Sequence, residues 1–280
     1  MNCVTNRRTF LAAASGGCLA LPFGLPHVAG AQTSGDETPH ASAAFMFPPS
    51  FPSHEAGVAR EIVGKSHRDL EAVAKLIEAR PALAKAVWDW GFGDWESALG
   101  AASHVGRRDI AELLIAHGAR PDIFTFAMFG ELDAVKAIIA ASPGIQRTAG
   151  PHGITLLAHA KAGGDEAASV VSYLESLGDA DQAAANVPLD PEMRREMLGA
   201  YRYEHSSGIA EVDPRFTCEI IEQRNGMLAF KHLPDGSALN LFHQGSGQFH
   251  PAGAPKVRIT FSQASLTIED GALRVMAKKA

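Results

Sequence analysis

The chain has 280 residues, a formal net charge of -6 at pH 7, and 46% hydrophobic residues. That length supports one large domain or two modest ones. The acidic balance gives no sign of the basic surface a nucleic-acid binder needs, and 3 cysteines are too few for a disulfide framework or a multi-cysteine metal site.

Near its start the chain carries Thr5-Asn6-Arg7-Arg8-Thr9-Phe10-Leu11, followed by a moderately apolar run from Leu11 to Leu25 that Gly16, Gly17 and Pro22 interrupt. Ala29-Gly30-Ala31 then supplies the small residues that a signal peptidase accepts. The arrangement resembles the twin-arginine export signal, in which two arginines precede a variable residue, Phe and Leu. The resemblance implies that residues 1–31 are a signal peptide, that Gln32 becomes the N-terminus, and that the mature protein is periplasmic. Ser15-Gly16-Gly17-Cys18 offers an alternative, a lipid anchor through Cys18. The apolar run is too short and too glycine-broken for a membrane span, so no transmembrane span is expected in the mature chain. Loss of the leader removes Cys3 and Cys18, and Cys218 alone cannot form an intramolecular disulfide.

Residues 32–54 are rich in Pro, Ala and Ser and include Phe45-Met46-Phe47-Pro48-Pro49-Ser50-Phe51-Pro52. The prolines forbid a helix. The segment reads either as a linker or as an extended strap that docks its phenylalanines on the first helices.

From 55 to 181 the pattern is helical, broken by Gly and Pro. In Gly93–Asp122, Ser97-Ala98-Leu99-Gly100-Ala101-Ala102 opens a short helix that ends at Gly106. Ile110, Leu113 and Leu114 share one face of a second helix, and Gly118 takes the left-handed C-cap position. The later segments repeat this plan around turn positions 66, 130 and 164: Leu70, Val73, Leu76 and Ile77; Leu132, Val135, Ile138 and Ile139; Val170, Val171, Tyr173 and Leu174. Leu99, Ala102, Gly106, Leu113, Leu114, Gly118 and Ala119 fall where the ankyrin repeat has its signature residues, so the stretch resembles about four ankyrin repeats, two of them degenerate. The likeness implies a helical solenoid, because one repeat cannot bury its own apolar face. The first connection is long and holds all 3 tryptophans, in Val87-Trp88-Asp89-Trp90-Gly91-Phe92-Gly93-Asp94-Trp95.

Residues 182–192, which include Pro188 and Pro191, read as a linker, and 193–280 as an antiparallel β-domain after a short helix, Met193 to Met197. Runs near 200–204, 216–223, 227–232, 238–242, 248–249, 256–262, 265–269 and 272–276 alternate with turn signals at Asn225-Gly226, Pro234-Asp235-Gly236 and Glu269-Asp270-Gly271. Short strands with tight turns predict a small antiparallel sheet or barrel. Leu198-Gly199-Ala200-Tyr201, Asn225-Gly226 with Leu228, Phe249 and Val257-Arg258-Ile259-Thr260-Phe261 resemble the lipocalin-like accessory domain of serine β-lactamase-type proteins. That likeness implies an accessory module without catalysis. The fold class expected is α + β in separate parts, an ankyrin-like helical solenoid followed by a small antiparallel sheet or barrel.

No catalytic motif survives inspection. Gly64-Lys65-Ser66 lacks the earlier glycine of a phosphate loop, and His67-Arg68-Asp69-Leu70 lacks the partners of a kinase catalytic loop. Gly245-Ser246-Gly247 lacks the frame of a nucleophile elbow. His205, His232, His243 and His250 are scattered and read as surface histidines, and His104 and His159 as hydrogen-bonding residues of the short helices. No catalytic residue, cofactor or metal is expected. Tryptophan dominates interaction hot spots, so Trp88, Trp90, Phe92 and Trp95, with His104, Phe124 and Phe126, form the candidate partner-binding surface. The function expected is recognition of one or more cell-envelope proteins, without catalysis. The alternatives are a small apolar ligand in the β-domain, if its barrel is not filled by Tyr201, Phe216, Phe230, Phe249 and Phe261, and a hydrolase site between the two parts.

Overall fold

The computed structural model describes residues 50, 52–208, 217–233 and 237–280. The leader, Cys18, most of the 32–54 segment, Phe216 and the Pro234-Asp235-Gly236 turn lie outside the described residues.

The helical part begins with α1 (Ala56–Lys65) and α2 (Leu70–Ala79). A short hairpin follows, β1 (Val87–Asp89) paired antiparallel with β2 (Trp95–Ser97). Three helix pairs come next: α3 (Ala98–His104) with α4 (Arg108–Ala116), α5 (Ile123–Phe129) with α6 (Leu132–Ala141), and α7 (Leu156–Ala162) with α8 (Ala168–Leu177). The first helix of each pair is short, and its N-terminal amides are satisfied by a side chain. Ser97 accepts from Gly100, Asp122 from Phe124 and Thr125, and Thr155 from Ala158. These three helices, α3, α5 and α7, lie against one another, while α4, α6 and α8 each pack on their own partner. Ile110 and Leu114 of α4, Val135 of α6, and Val170 and Leu174 of α8 are the buried stripe of each outer helix. Gly118 follows the end of α4 with φ +91°, and Gly106 turns between α3 and α4 with φ +72°. A Cβ on Gly106 would lie 2.1 Å from the Ala162 carbonyl oxygen, so only glycine lets this turn meet the later helix.

After α9 (Pro191–Met197), capped by Asp190, eight strands close into an antiparallel barrel. They are β3 (Gly199–Ser207), β4 (Thr217–Glu222), β5 (Leu228–Leu233), β6 (Ala238–Gly245), β7 (Gln248–Pro251), β8 (Arg258–Ser262), β9 (Ser265–Asp270) and β10 (Leu273–Lys279). Each strand pairs with the next, and β10 closes the barrel on β3. The eight runs read from sequence correspond to these strands. Alternation places Tyr201, Ile220, Phe230, Leu241, Phe249, Ile259 and Leu266 inside, all nearly fully buried. Phe261 is half-buried against this core.

The four β-domain histidines are not all at the surface. His243 and His250 are buried, the first stacked on Phe249 and the second on Phe242, because the flat imidazole packs against the aromatic face while Nδ1 reaches a backbone carbonyl, Val187 and Pro251 respectively. The described residues belong to one compact unit. Helical part and barrel meet where Phe92, beyond β1, lies against Phe230 with ring centroids 5.3 Å apart. Among the described residues no helix is long and apolar enough to cross a membrane.

Candidate metal centre

The β1–β2 hairpin is the piece around which the site is built. β2 alternates sides: Asp94, just before it, and Glu96 turn inward, 3% and 0% exposed, while Trp95 between them is 62% exposed. Strand geometry alone therefore places two carboxylates on the buried side and an indole in solvent.

Three histidines from three other elements surround Glu96. His67 sits in the turn between α1 and α2, with Nε2 3.5 Å from Glu96 Oε2. His104 is the last residue of α3, with Nε2 2.8 Å from Oε1. His152 lies in the 3-10 turn Pro151–Gly153, with Nε2 3.4 Å from Oε1. One ligand atom from each of these four residues lies within 4.8 Å of all the others. A tetrahedral zinc site with bonds of about 2.0–2.1 Å has ligand–ligand edges of about 3.3 Å, and the three histidine–Glu96 distances of 2.8, 3.4 and 3.5 Å lie around that value.

The surrounding hydrogen bonds orient the imidazoles. His152 donates from Nδ1 to Asp94 Oδ2 at 2.7 Å, and its backbone N–H donates to Oδ1 at 2.8 Å. This double contact holds His152 in the left-handed region, φ 58°, which a non-glycine residue adopts only when its surroundings impose it. His67 Nδ1 donates to the Gly64 carbonyl at 3.1 Å. Both rings thus turn Nε2 toward the centre, as in metal-ligating histidines, whose other ring nitrogen is held by a carboxylate or a backbone carbonyl. Trp90 donates from Nε1 to Glu96 Oε2 at 2.7 Å and fixes the carboxylate plane. Glu96 Oε1 and His104 Nε2, though close, are not aligned for a hydrogen bond, and neither buried atom makes a hydrogen bond elsewhere, the His152 Nε2 contact to Oε1 being an ion pair at 3.4 Å. Two polar atoms pointing past each other into a common space are what a shared ion would satisfy.

Burial opposes ionisation of Glu96, but the imidazoles of His104, His152 and His67 outweigh it and hold the carboxyl at about 2. Burial likewise works against the charge on His152, yet Asp94 and Glu96 raise it to about 10. His67 is pushed down, by burial first and by the neighbouring histidines next, against the attraction of Glu96. The metal-free centre is therefore a buried imidazolium clasped by two carboxylates.

The residues singled out as a partner surface separate. Trp88 and Trp90 are half-buried on the helical core, Trp95 is exposed, Phe92 faces the barrel, and Phe124 and Phe126 pack among the later helices. His104 joins the centre, while His159, whose ring lies 6.2 Å from His104, stays outside the four-residue group and packs on Phe124. Burial first, with His104 nearby, lowers the His159 pKa. His67, Glu96 and His152 were not among the sequence candidates. The expectation of no metal rested on the absence of local ligand spacing, and these four residues come from four separate elements.

The barrel part also bears on the centre. Gly253 has φ +74°, and a Cβ there would lie 2.2 Å from Asp94 Oδ1. Gly253→Ala is expected to displace Asp94 from His152. It should weaken metal binding by about 10–100-fold, the usual effect of losing an outer-shell partner. It should also reduce stability by about 1–3 kcal/mol through backbone strain. Metal titration and thermal denaturation of the variant check both.

The chain matches no protein-family model, no curated protein and no solved structure.

Proposed function

We propose that the protein is a metal-binding protein whose His67, Glu96, His104 and His152 hold one divalent first-row transition ion, zinc foremost. The observation that carries this is the convergence of four potential ligand residues, two of which, Glu96 and His104, bring a buried polar atom that makes no hydrogen bond. Imidazole and carboxylate suit zinc and its neighbours, and four protein ligands make a closed site whose role is structural rather than catalytic. The ion ties the β1–β2 hairpin to the turn after α1, to α3 and to the 151–153 turn. This reading agrees with the absence of a catalytic motif in the sequence.

Chelator-treated protein titrated with zinc is expected to bind one ion. His67→Ala is expected to lower the affinity by more than about 100-fold, since losing a ligand exceeds the 10–100-fold effect of losing an outer-shell partner. His67 is partly exposed, so His67→Ala is expected to fold, which its circular dichroism checks. Equal zinc affinity in the wild type and His67→Ala would refute the assignment.

A second reading concerns recognition, and the exposure of Trp95 favours it. In this reading an ankyrin-like array, exported by a twin-arginine signal and joined to a lipocalin-like barrel, presents Trp95 and the neighbouring exposed Val87 to a cell-envelope protein. The centre then pins the strand that displays the indole. Trp95→Ala should fold normally and lose a co-purifying envelope protein, and an unchanged set of co-purified proteins would discard this reading.

A further inference from the structure

Most of the barrel interior is filled, as close packing requires. One end is not. There the 89–92 loop covers the barrel mouth and leaves a cavity of about 320 Å³. That volume lies at the lower end of the roughly 300–1,000 Å³ range of small-molecule sites. It is bounded by residues of both parts of the chain.

We propose that this cavity binds a small, neutral aromatic molecule carrying one hydrogen-bonding group. The inference does not rest on metal binding, although Trp90 serves both the cavity wall and the centre. Its first support is the wall. Trp90, Phe92 and Phe230 line it with aromatic rings, and Leu239, Ile268 and Val275 supply aliphatic surface. Aromatic rings pack edge-to-face and offset against such walls, with a gain beyond area alone.

The second support is charge. Among the described lining residues there is no lysine or arginine, and Asp89 is the one acid. Its Oδ1 already accepts the Gly91 N–H at 2.8 Å. Arg60 reaches the lining from outside but is engaged, donating to Ser237 Oγ at 3.0 Å, so a charged ligand would leave water for a wall that lends it little counter-charge, which is unfavourable. A neutral one meets no such barrier.

The third support is a polar pair set in this apolar wall. Tyr203 and His232 both line the cavity, with the Tyr203 hydroxyl 3.3 Å from His232 Nδ1. Burial pushes the Tyr203 phenol upward, so it stays a neutral hydroxyl able to exchange a hydrogen bond with an occupant.

The loop that closes the mouth is held for this purpose. Phe92 has φ 57°, between Gly91 at 126° and Gly93 at 78°. A Cβ on Gly91 would lie 3.2 Å from Leu239 Cδ1. This unusual backbone brings Phe92 onto Phe230.

The test uses the full mature chain and two fluorescent probes with the same rings. N-phenyl-1-naphthylamine is neutral with one N–H, and 1-anilinonaphthalene-8-sulfonate adds a negative charge. The neutral probe should bind saturably at one site, and the sulfonate should bind at least about tenfold more weakly because its charge is desolvated unpaired. Val275→Phe, which fills the cavity, should weaken the neutral probe by at least about tenfold. Tyr203→Phe keeps the shape and should weaken it by about fivefold, the effect of one hydrogen bond. If Val275→Phe does not fold, Tyr203→Phe decides. The proposal is overturned by the absence of saturable binding, by sulfonate binding as tight as the neutral probe, or by variants that fold and bind unchanged.

Discussion

Alanine at His152 is expected to destabilise the metal-free protein by about 3–5 kcal/mol at neutral pH, the penalty for breaking a buried ion pair by removing one partner. Asp94 and Glu96 are almost wholly buried, and among the described residues their ion pairs are with histidines alone. His67 is held toward its neutral form, so the imidazolium of His152 is the charge that balances them. Removing it strands two carboxylates away from water, and Asp94 also loses its hydrogen bond from the ring. Urea denaturation of chelator-treated wild type and His152→Ala measures the difference. His67→Ala is the control, because it removes a ligand without removing that charge. A His152→Ala loss below about 1 kcal/mol, the scale of an exposed pair, would show that the clasp does not exist in solution.

The contrast between fold and site has a physical origin in how far each signal extends along the chain. Barrel strands announce themselves locally. The inward positions of β6, Leu239 and Leu241, alternate with less buried neighbours, and Asn225-Gly226 marks the turn between β4 and β5, where Gly226 has φ +77°. Helices are equally local, since Val73 and Ile77 or Ile110 and Leu114 lie one turn apart, and Ser97, Asp122 and Thr155 mark starts. The centre has no such locality. His67 reads as part of a helix start, and His152 is held in place by Asp94 from a distant hairpin. Glu96 becomes meaningful only once residues 95–97 are known to be a strand, because alternation then sends it inward and Trp95 outward. The tryptophan-rich connection was legible as unusual, but its acids, rather than its indoles alone, build the centre.

Metal-free protein is expected to be most stable at mildly acidic pH, and zinc is expected to move that optimum upward. Folding raises His152 from 6.5 to about 10. Its stabilisation is complete below 6.5, and is lost progressively as pH rises toward about 10. Folding lowers Glu96 from 4.5 to about 2, so its contribution is complete above 4.5 and fades as pH falls toward about 2. Both are whole only between 4.5 and 6.5. Urea midpoints of chelator-treated protein across pH should peak near the upper edge of that window, because the lowered His67 and His159 withdraw stability as pH falls below 6.5, and should decline on both sides. A metal would reverse the alkaline limb, because a ligating His152 Nε2 must be unprotonated and the ion would replace the charge that proton supplies. Zinc-loaded protein should therefore hold its stability above pH 7, and binding at that pH should release about one proton per ion. Calorimetry in buffers of different ionisation enthalpy reads that number directly. A release near zero would mean that the ion does not displace the His152 proton, and would remove His152 from the ligand set.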